Sequence, residues 1–329
     1  MKVSGLVSLD EILAARSALR SHSLGTPLVR LRGTEVWLKA ESLQPTGSFK
    51  LRGAIYKISV LNDNERARGV VASSSGNHAQ AVAFAARMFH TSATIVMPSN
   101  ASVSKVEATR YYGADIVFAT GSTDVLEAVA LDLEKSKGYL PVPPFNDRAI
   151  IAATGTVALE LVEQLPDVTA ITVPISGGGL IAGIATAIKS TRPDIRIIGV
   201  EPEVAADAYE SFKAGKRVKF AAEQMNRTIA DGLRVCCVGD LTWEHIRAYV
   251  DEVVTVTEAE ILGAMRQVAT KARLVAEPSG AVSVAAWLTG RLMSRGSVAA
   301  ILSGGNVDAS VLSLALAAGK STPPNPLSG

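Results

Sequence analysis

Between Val168 and Ile188 the chain runs 21 residues without a charged side chain, a length that lets an α-helix cross a bilayer. Pro174 and the run Ser176-Gly177-Gly178-Gly179 fall in the middle of that span. A lipid-facing helix broken there would leave backbone N–H and C=O groups without partners. The span therefore reads as three buried pieces: a strand, a glycine loop and a helix. Near-continuous apolar strands of that kind belong to parallel sheets covered on both faces.

Composition fits this reading. The chain has 329 residues, 48% hydrophobic against 19% charged, enough for two domains with large cores. Lys and Arg number 33 and Asp and Glu 31, with no basic block, so neither a nucleic acid nor an anionic membrane is expected as a partner. No leader is expected, because the apolar run after Lys2 is broken by Ser4, Gly5 and Ser8 and meets Asp10-Glu11. The two cysteines, Cys236 and Cys237, are adjacent. That spacing gives neither a disulfide framework nor a metal motif, and the pair reads as small buried hydrophobes in a soluble cytoplasmic protein.

Strands and helices alternate along the chain. Ser8 and Glu11 form a capping box that opens a helix. A strand is predicted at 35–39 and a helix at 48–61. A compact series follows, with strands at 69–73, 93–97 and 115–118 and helices at 77–89, 102–112 and 123–137. Pro141-Val142-Pro143-Pro144 marks a boundary. Beyond it come a helix at 150–165, strands at 170–174 and 196–201 around a helix at 180–189, a strand at 298–302 and a helix at 309–318. The expected class is α/β, with two doubly wound, mostly parallel open sheets. The larger domain is expected to hold 1–62 and 146–320, the smaller 63–145, and the tail 321–329 is expected to be disordered.

Three loops follow strands and are rich in small or hydrogen-bonding residues: 73–78 (Ser-Ser-Ser-Gly-Asn-His), 176–179 (Ser-Gly-Gly-Gly) and 303–306 (Ser-Gly-Gly-Asn). Loops at the carboxyl edge of a parallel sheet are where such proteins bind ligands. Glycines at 177–179 open the backbone to a ligand, and a helix start adds its dipole, which together make an anion cup. A second reading stays open, because Gly177-x-Gly179-x-x-Ala182 with Glu201 about 20 residues on meets the dinucleotide fingerprint. Lys50, at a helix start inside Thr46-Gly47-Ser48-Phe49-Lys50-Leu51-Arg52-Gly53-Ala54, is placed for a lowered pKa and nucleophilic use.

Ser48-Phe49-Lys50-Leu51-Arg52-Gly53-Ala54, Ser75-Gly76-Asn77-His78, the 176–179 loop and Ser303-Gly304-Gly305-Asn306 together resemble the fold-type II pyridoxal-phosphate enzymes. The resemblance is greatest to the threonine/serine dehydratases and serine racemases, and it runs from about Leu9 to Ala318. It implies a tryptophan synthase β-like fold, with pyridoxal 5'-phosphate on Lys50 and Phe49 beside its ring. Asn77 would meet the ring's phenolic oxygen, Ser176, Gly177, Gly178 and Gly179 would hold the phosphate, and Ser303 would face the ring nitrogen. A neutral serine there tempers the electron sink and favours β-elimination. Ser74, Ser75, Gly76, Asn77 and His78 would bind the substrate carboxylate, and Ser75 matches the opposite-face proton donor of the racemases. Glu201, the Ala205 carbonyl and Asp207 match a divalent-cation site for Mg2+, Mn2+ or Ca2+. Ser176 departs from the family's usual four glycines. No regulatory domain is expected after residue 318, and hence no feedback control by isoleucine.

The implied activity is dehydration of a β-hydroxy-α-amino acid such as L-threonine or L-serine, by a homodimer or homotetramer. Serine racemase, 3-hydroxyaspartate dehydratase and a dehydratase of hydroxyectoine catabolism are the alternatives within the class. A nicotinamide-dependent oxidoreductase and a non-catalytic amino-acid-binding module are those outside it. Substrate side-chain contacts are expected from 145–148, where Arg148 could meet a second carboxylate, and from 231–235. Gly319-Lys320-Ser321-Thr322 resembles the end of a P-loop but lacks its opening glycine and a following helix. His90 and His245 read as surface or half-buried structural residues.

Overall fold

The computed structural model describes residues 5–22, 25–121, 123–294 and 296–317. The predicted tail at 321–329, the last residue of the predicted final helix and the 319–322 segment lie outside them.

Among the described residues, ten strands form two sheets. The six-stranded sheet has the order β1 (Leu28–Arg30), β2 (Val36–Ala40), β10 (Ser297–Leu302), β7 (Val168–Pro174), β8 (Arg196–Pro202) and β9 (Glu252–Val256). Only the β1–β2 pair is antiparallel. The four-stranded sheet, all parallel, has the order β5 (Asp115–Ala119), β4 (Ala93–Pro98), β3 (Val70–Ser73) and β6 (Leu140–Pro141). The expected α/β class with two mostly parallel sheets is therefore what the chain forms.

Strand β10 shows why its sequence is apolar throughout. Ala299 and Ile301 point into one core, while Val298, Ala300 and Leu302 point into the core on the opposite face. The first core is closed by α1 (Leu9–Leu19), α7 (Arg148–Gln164), α8 (Gly179–Thr191) and α11 (Asp240–Tyr249). The second is closed by α12 (Glu258–Gln267), α13 (Pro278–Leu288) and α14 (Ala309–Ala317). Helices α7 and α8 approach so closely that a Cβ at Gly183 would collide with the Ile151 carbonyl oxygen. Around the small sheet lie α2 (Lys50–Ser59), α4 (Asn77–Met88), α5 (Val103–Tyr111) and α6 (Thr123–Lys137).

The uncharged span becomes β7, a glycine turn and α8. No helix among the described residues is long and apolar enough to cross a membrane.

Several elements went unpredicted. Strand β1 has three residues, and α3 (Asp63–Arg68) is short and has no buried residue. Strand β6 (Leu140–Pro141) ends on the first residue of the proline run read as a boundary, and pairs at the sheet edge with β3, a place where proline is tolerated. The helix expected from 48 begins at Lys50, because Ser48 makes an antiparallel bridge to Gly304. Beyond Glu201 the alternation predicted nothing before 298. That stretch folds as α9 (Asp207–Ala214), α10 (Ala222–Met225), α11, β9, α12 and α13. His245 is fully buried rather than half-buried: its Nε2 accepts the Val7 N–H at 3.2 Å, and its Nδ1 lies 2.9 Å from Thr186 Oγ1.

Candidate active site

The carboxyl ends of β3, β7 and β10 face one cavity of about 740 Å³ between the sheets. Phe49, Lys50, Ser74, Ser75, Gly76, Asn77, His78, Ser176, Gly177, Gly178, Gly179 and Ser303 all line it. Residues scattered over more than 250 positions of sequence thus meet because the crossovers of a parallel sheet bring every strand end to the same edge.

Lys50 opens α2. The Phe49 N–H donates to the Ser303 carbonyl at 3.0 Å, and Ser48 pairs with Gly304, so the lysine loop is stitched to the loop after β10. Lys50 Nζ donates to the Pro144 carbonyl at 2.6 Å and sits 5.1 Å from the Phe49 ring centre. Burial lowers its ammonium to about 8, which leaves a useful fraction of neutral amine near neutral pH. Beneath it, Arg52 reaches Glu41 at 2.8 Å and Glu160 at 2.6 Å, and Lys39 reaches Glu160 at 2.7 Å. Arg52, Glu41 and Lys39 are buried, so this quartet anchors the first turn of α2.

The loop after β7 supplies the anion cup. Gly178, the residue before α8, has φ +90°, a conformation open to glycine at little cost. Phe145 lies against the turn, where a Cβ on Gly177 would collide with its ring. Ser176 Oγ is buried and has no hydrogen-bond partner. That orphan hydroxyl, with the unoccupied first-turn N–H groups of a helix start, fits a phosphate. The residues present therefore fit pyridoxal phosphate: a lysine of lowered pKa, an anion cup and polar loops around one cavity.

The loop after β3 is partly committed internally. Ser74 N–H donates to Val96 O at 3.1 Å and Gly76 N–H to Ser74 Oγ at 3.2 Å. The His78 ring is buried, held neutral by burial and by the Lys50 charge with its pKa down to about 3, and its Nε2 lies 2.7 Å from the Val142 carbonyl. A carbonyl only accepts, so Nε2 carries the proton. Asn77 Nδ2 donates to Glu277 Oε1 at 2.6 Å, and its Oδ1 accepts from Asn306 Nδ2 at 2.7 Å.

Glu201, at the end of β8, and Asp207, at the start of α9, come together outside the cavity, with the buried Ala205 in the turn between them. Glu201 accepts the N–H groups of Ala208 at 3.2 Å and Tyr209 at 2.6 Å. A ribose-binding acid would need that carboxylate free, so the dinucleotide reading loses its second element. Both Asp207 oxygens are buried without a hydrogen-bond partner. Burial pushes Asp207 up to about 7, and burial with the Asp207 charge pushes Glu201 well above the usual range. A carboxylate without a hydrogen-bond partner beside a second one fits a hard divalent cation.

Three expectations are corrected. Cys236 and Cys237 are half-buried and line the cavity rather than filling a core. Of the 145–148 segment, only Phe145 and Asn146 line the cavity. Arg148 turns away, to Glu11 at 2.8 Å and to the carbonyls of Gly5 and Leu6, because α7 starts there with its first side chain toward the amino-terminal segment. Sequence reading also missed Glu277 and the Lys105–Asp231 ion pair at 2.5 Å across the cavity. The signal for Glu277 was there: it is the one acid in the apolar stretch 274–290, just before a helix-starting proline.

The family model for pyridoxal-phosphate dependent enzymes matches residues 19–304. The L-threonine ammonia-lyase of Thermotoga maritima is 42% identical over 313 residues, 93% of this chain and 77% of that protein. A catabolic L-threonine dehydratase of Staphylococcus aureus is 39% identical over 319 residues, 94% of this chain and 91% of that protein. The structure of maize serine racemase superposes with a TM-score of 0.89 at 38% identity, covering 94% of this chain and 97% of that one. With the lysine, the anion cup and these relatives in agreement, the chain belongs to the pyridoxal-phosphate dependent enzymes.

Proposed function

We propose that this enzyme is an ammonia-lyase that removes water from a β-hydroxy-α-amino acid of the L-threonine or L-serine type, giving a 2-oxo acid and ammonia. The observation that carries the reading is Lys50, a half-buried amine of lowered pKa in the cavity that three Ser/Gly loops share. The L-threonine lyases and dehydratases named above, at 39–42% identity, support it.

Pyridoxal phosphate, when bound, supplies the electron sink that acidifies the substrate α-carbon. Ser176 to Gly179 would hold its phosphate, Asn77 would meet its ring oxygen, Phe49 would pack beside the ring, and Ser303 would offer a neutral hydroxyl to the ring nitrogen. Ser74 to His78 orient the substrate carboxylate. Lys50 Nζ, as the neutral amine, takes the α-proton as general base. The β-hydroxyl leaves as water, taking the proton that Lys50 removed from the α-carbon, and the released enamine hydrolyses to ammonia and the 2-oxo acid.

Ser75 supports a second reading, racemisation, since it lines the cavity and carries the hydroxyl that a proton donor on the opposite face needs. For 3-hydroxyaspartate, Arg148 gives no support, as it is spent on Glu11. Glu201, the Ala205 carbonyl and Asp207 would hold Mg2+, Mn2+ or Ca2+. A cytoplasmic homodimer or homotetramer, with domains at 1–62 plus 146–320 and at 63–145, belongs to the same reading. The test is a substrate panel on the cofactor-loaded protein that measures 2-oxo acid and D-serine together. Activity on L-threonine or L-serine that Lys50→Ala abolishes is expected, and full activity in Lys50→Ala would overturn the reading.

A further inference from the structure

Glu277 has no part in the scheme above, yet it is 5% exposed and faces the cofactor cavity. It closes a relay across three loops. Asn306 Nδ2 donates to the Thr46 carbonyl at 2.8 Å and to Asn77 Oδ1 at 2.7 Å, and Asn77 Nδ2 donates to Glu277 Oε1 at 2.6 Å. A backbone carbonyl only accepts, so the Asn306 amide has one orientation, and the Asn77 amide inherits its own from it. Of the two N–H bonds on Asn77 Nδ2, Glu277 takes one and the other remains for a ligand. The space for this carboxyl exists because residue 304 is glycine, where a Cβ would collide with Glu277 Oε1.

We propose that Glu277 is a positioning residue of the cofactor site: its carboxyl holds the Asn77 amide so that the remaining N–H meets the cofactor's ring oxygen, and its ionisation makes that contact sensitive to pH. The inference rests on the assignment of Asn77 made above.

The charged groups that face Glu277 are Asp231, at the start of the short 3-10 turn Asp231–Leu233, and Lys105 on α5, themselves an ion pair. Burial and the Asp231 charge push the Glu277 carboxyl up to about 8, while the Asn77 hydrogen bond and Lys105 act the other way. Below that pH the acid is neutral. Above it a carboxylate grips the Asn77 N–H harder and sets a negative charge near the ring oxygen.

The test uses the cofactor-loaded protein and reads absorption and cofactor affinity rather than turnover. The visible cofactor band of the wild-type protein is expected to change with a midpoint near pH 8. Glu277→Gln keeps an acceptor for Asn77 but cannot ionise. Its band should persist without that change, and its cofactor dissociation constant should stay within about twofold of wild type. Glu277→Ala and Asn306→Ala should each bind cofactor roughly 2- to 10-fold more weakly, the effect of one lost hydrogen bond. A Glu277→Gln band that titrates like wild type overturns the proposal while the cofactor assignment stands, as does wild-type affinity in both alanine variants. Failure of the wild-type protein to develop any band with pyridoxal phosphate overturns the Lys50 reading and this one with it. Should Glu277→Ala not fold, Glu277→Gln and Asn306→Ala carry the test.

Discussion

Lys50 Nζ donates to the carbonyl oxygen of Pro144, 94 residues later in the chain, at 2.6 Å. The partner is a neutral dipole, so no anion compensates the partly desolvated ammonium, and its pKa falls from the ordinary 10.5 to about 8. The neutral amine is the nucleophile. Covalent capture of cofactor by the apoprotein should therefore speed up roughly fivefold between pH 7 and pH 8, as the neutral fraction grows from about a tenth to a half. It should then level off above that range. Stopped-flow absorbance on apoprotein measures it. A rate still climbing steeply toward pH 10 would show an ordinary lysine.

The turn before α8 leaves no room for a side chain. Gly178→Ala must carry a left-handed backbone, at about 1–2 kcal/mol for a non-glycine residue, with its Cβ 2.8 Å from Thr242 Oγ1. Lower thermal stability and weaker cofactor binding are expected together. Calorimetry and cofactor titration check the two, and a variant indistinguishable from wild type in both would contradict the cup geometry.

Arg52 bridges Glu41, fully buried, and Glu160. Removing its guanidinium in Arg52→Ala strands a buried carboxylate, which should cost about 3–5 kcal/mol. Arg52→Lys should fall in between, because one ammonium cannot reproduce the planar fork that serves two carboxylates. Chemical denaturation of the two variants ranks them.

The Glu201–Asp207 pair gives stability a pH slope with a definite sign. Both carboxyls titrate above their unfolded values, Asp207 near 7. The folded chain thus keeps protons that the unfolded chain has lost, and stability present below the ordinary carboxylate range drains away as pH rises through about 7. Adding Mg2+, Mn2+ or Ca2+ should raise the melting temperature most at the upper end of that window. Asp207→Asn should abolish the response, and thermal melts with and without cation decide it.

How far the fold could be read from the chain follows from how local each signal was. The alternation and the three Ser/Gly loops are carried by runs of adjacent residues, so β3, β7, β10 and their loops stood out, and Lys50 with them. Glu277 belongs to no run: its meaning comes from Asn77, 200 residues away. Strand β1 is three residues long and antiparallel, too short for a period to show. Arg148 carried the right charge in the right segment, but helix phase turned it toward Glu11. Exposure of the cysteines depended on the cavity itself, which no local pattern encodes.

Strand β10 lies between β2 and β7 in the middle of the large sheet, though among the described residues it is the last strand in the chain. A ribosome therefore releases β2 and β7 long before the strand that must separate them, and each waits with an open edge and uncovered apolar faces. The loop that follows this late strand carries Ser303 and the bridge partner of Ser48. A growing chain can thus display its lysine without owning a finished pocket. Cofactor loading becomes an event of the completed polypeptide, and the nascent protein must be shielded until its closing strand arrives.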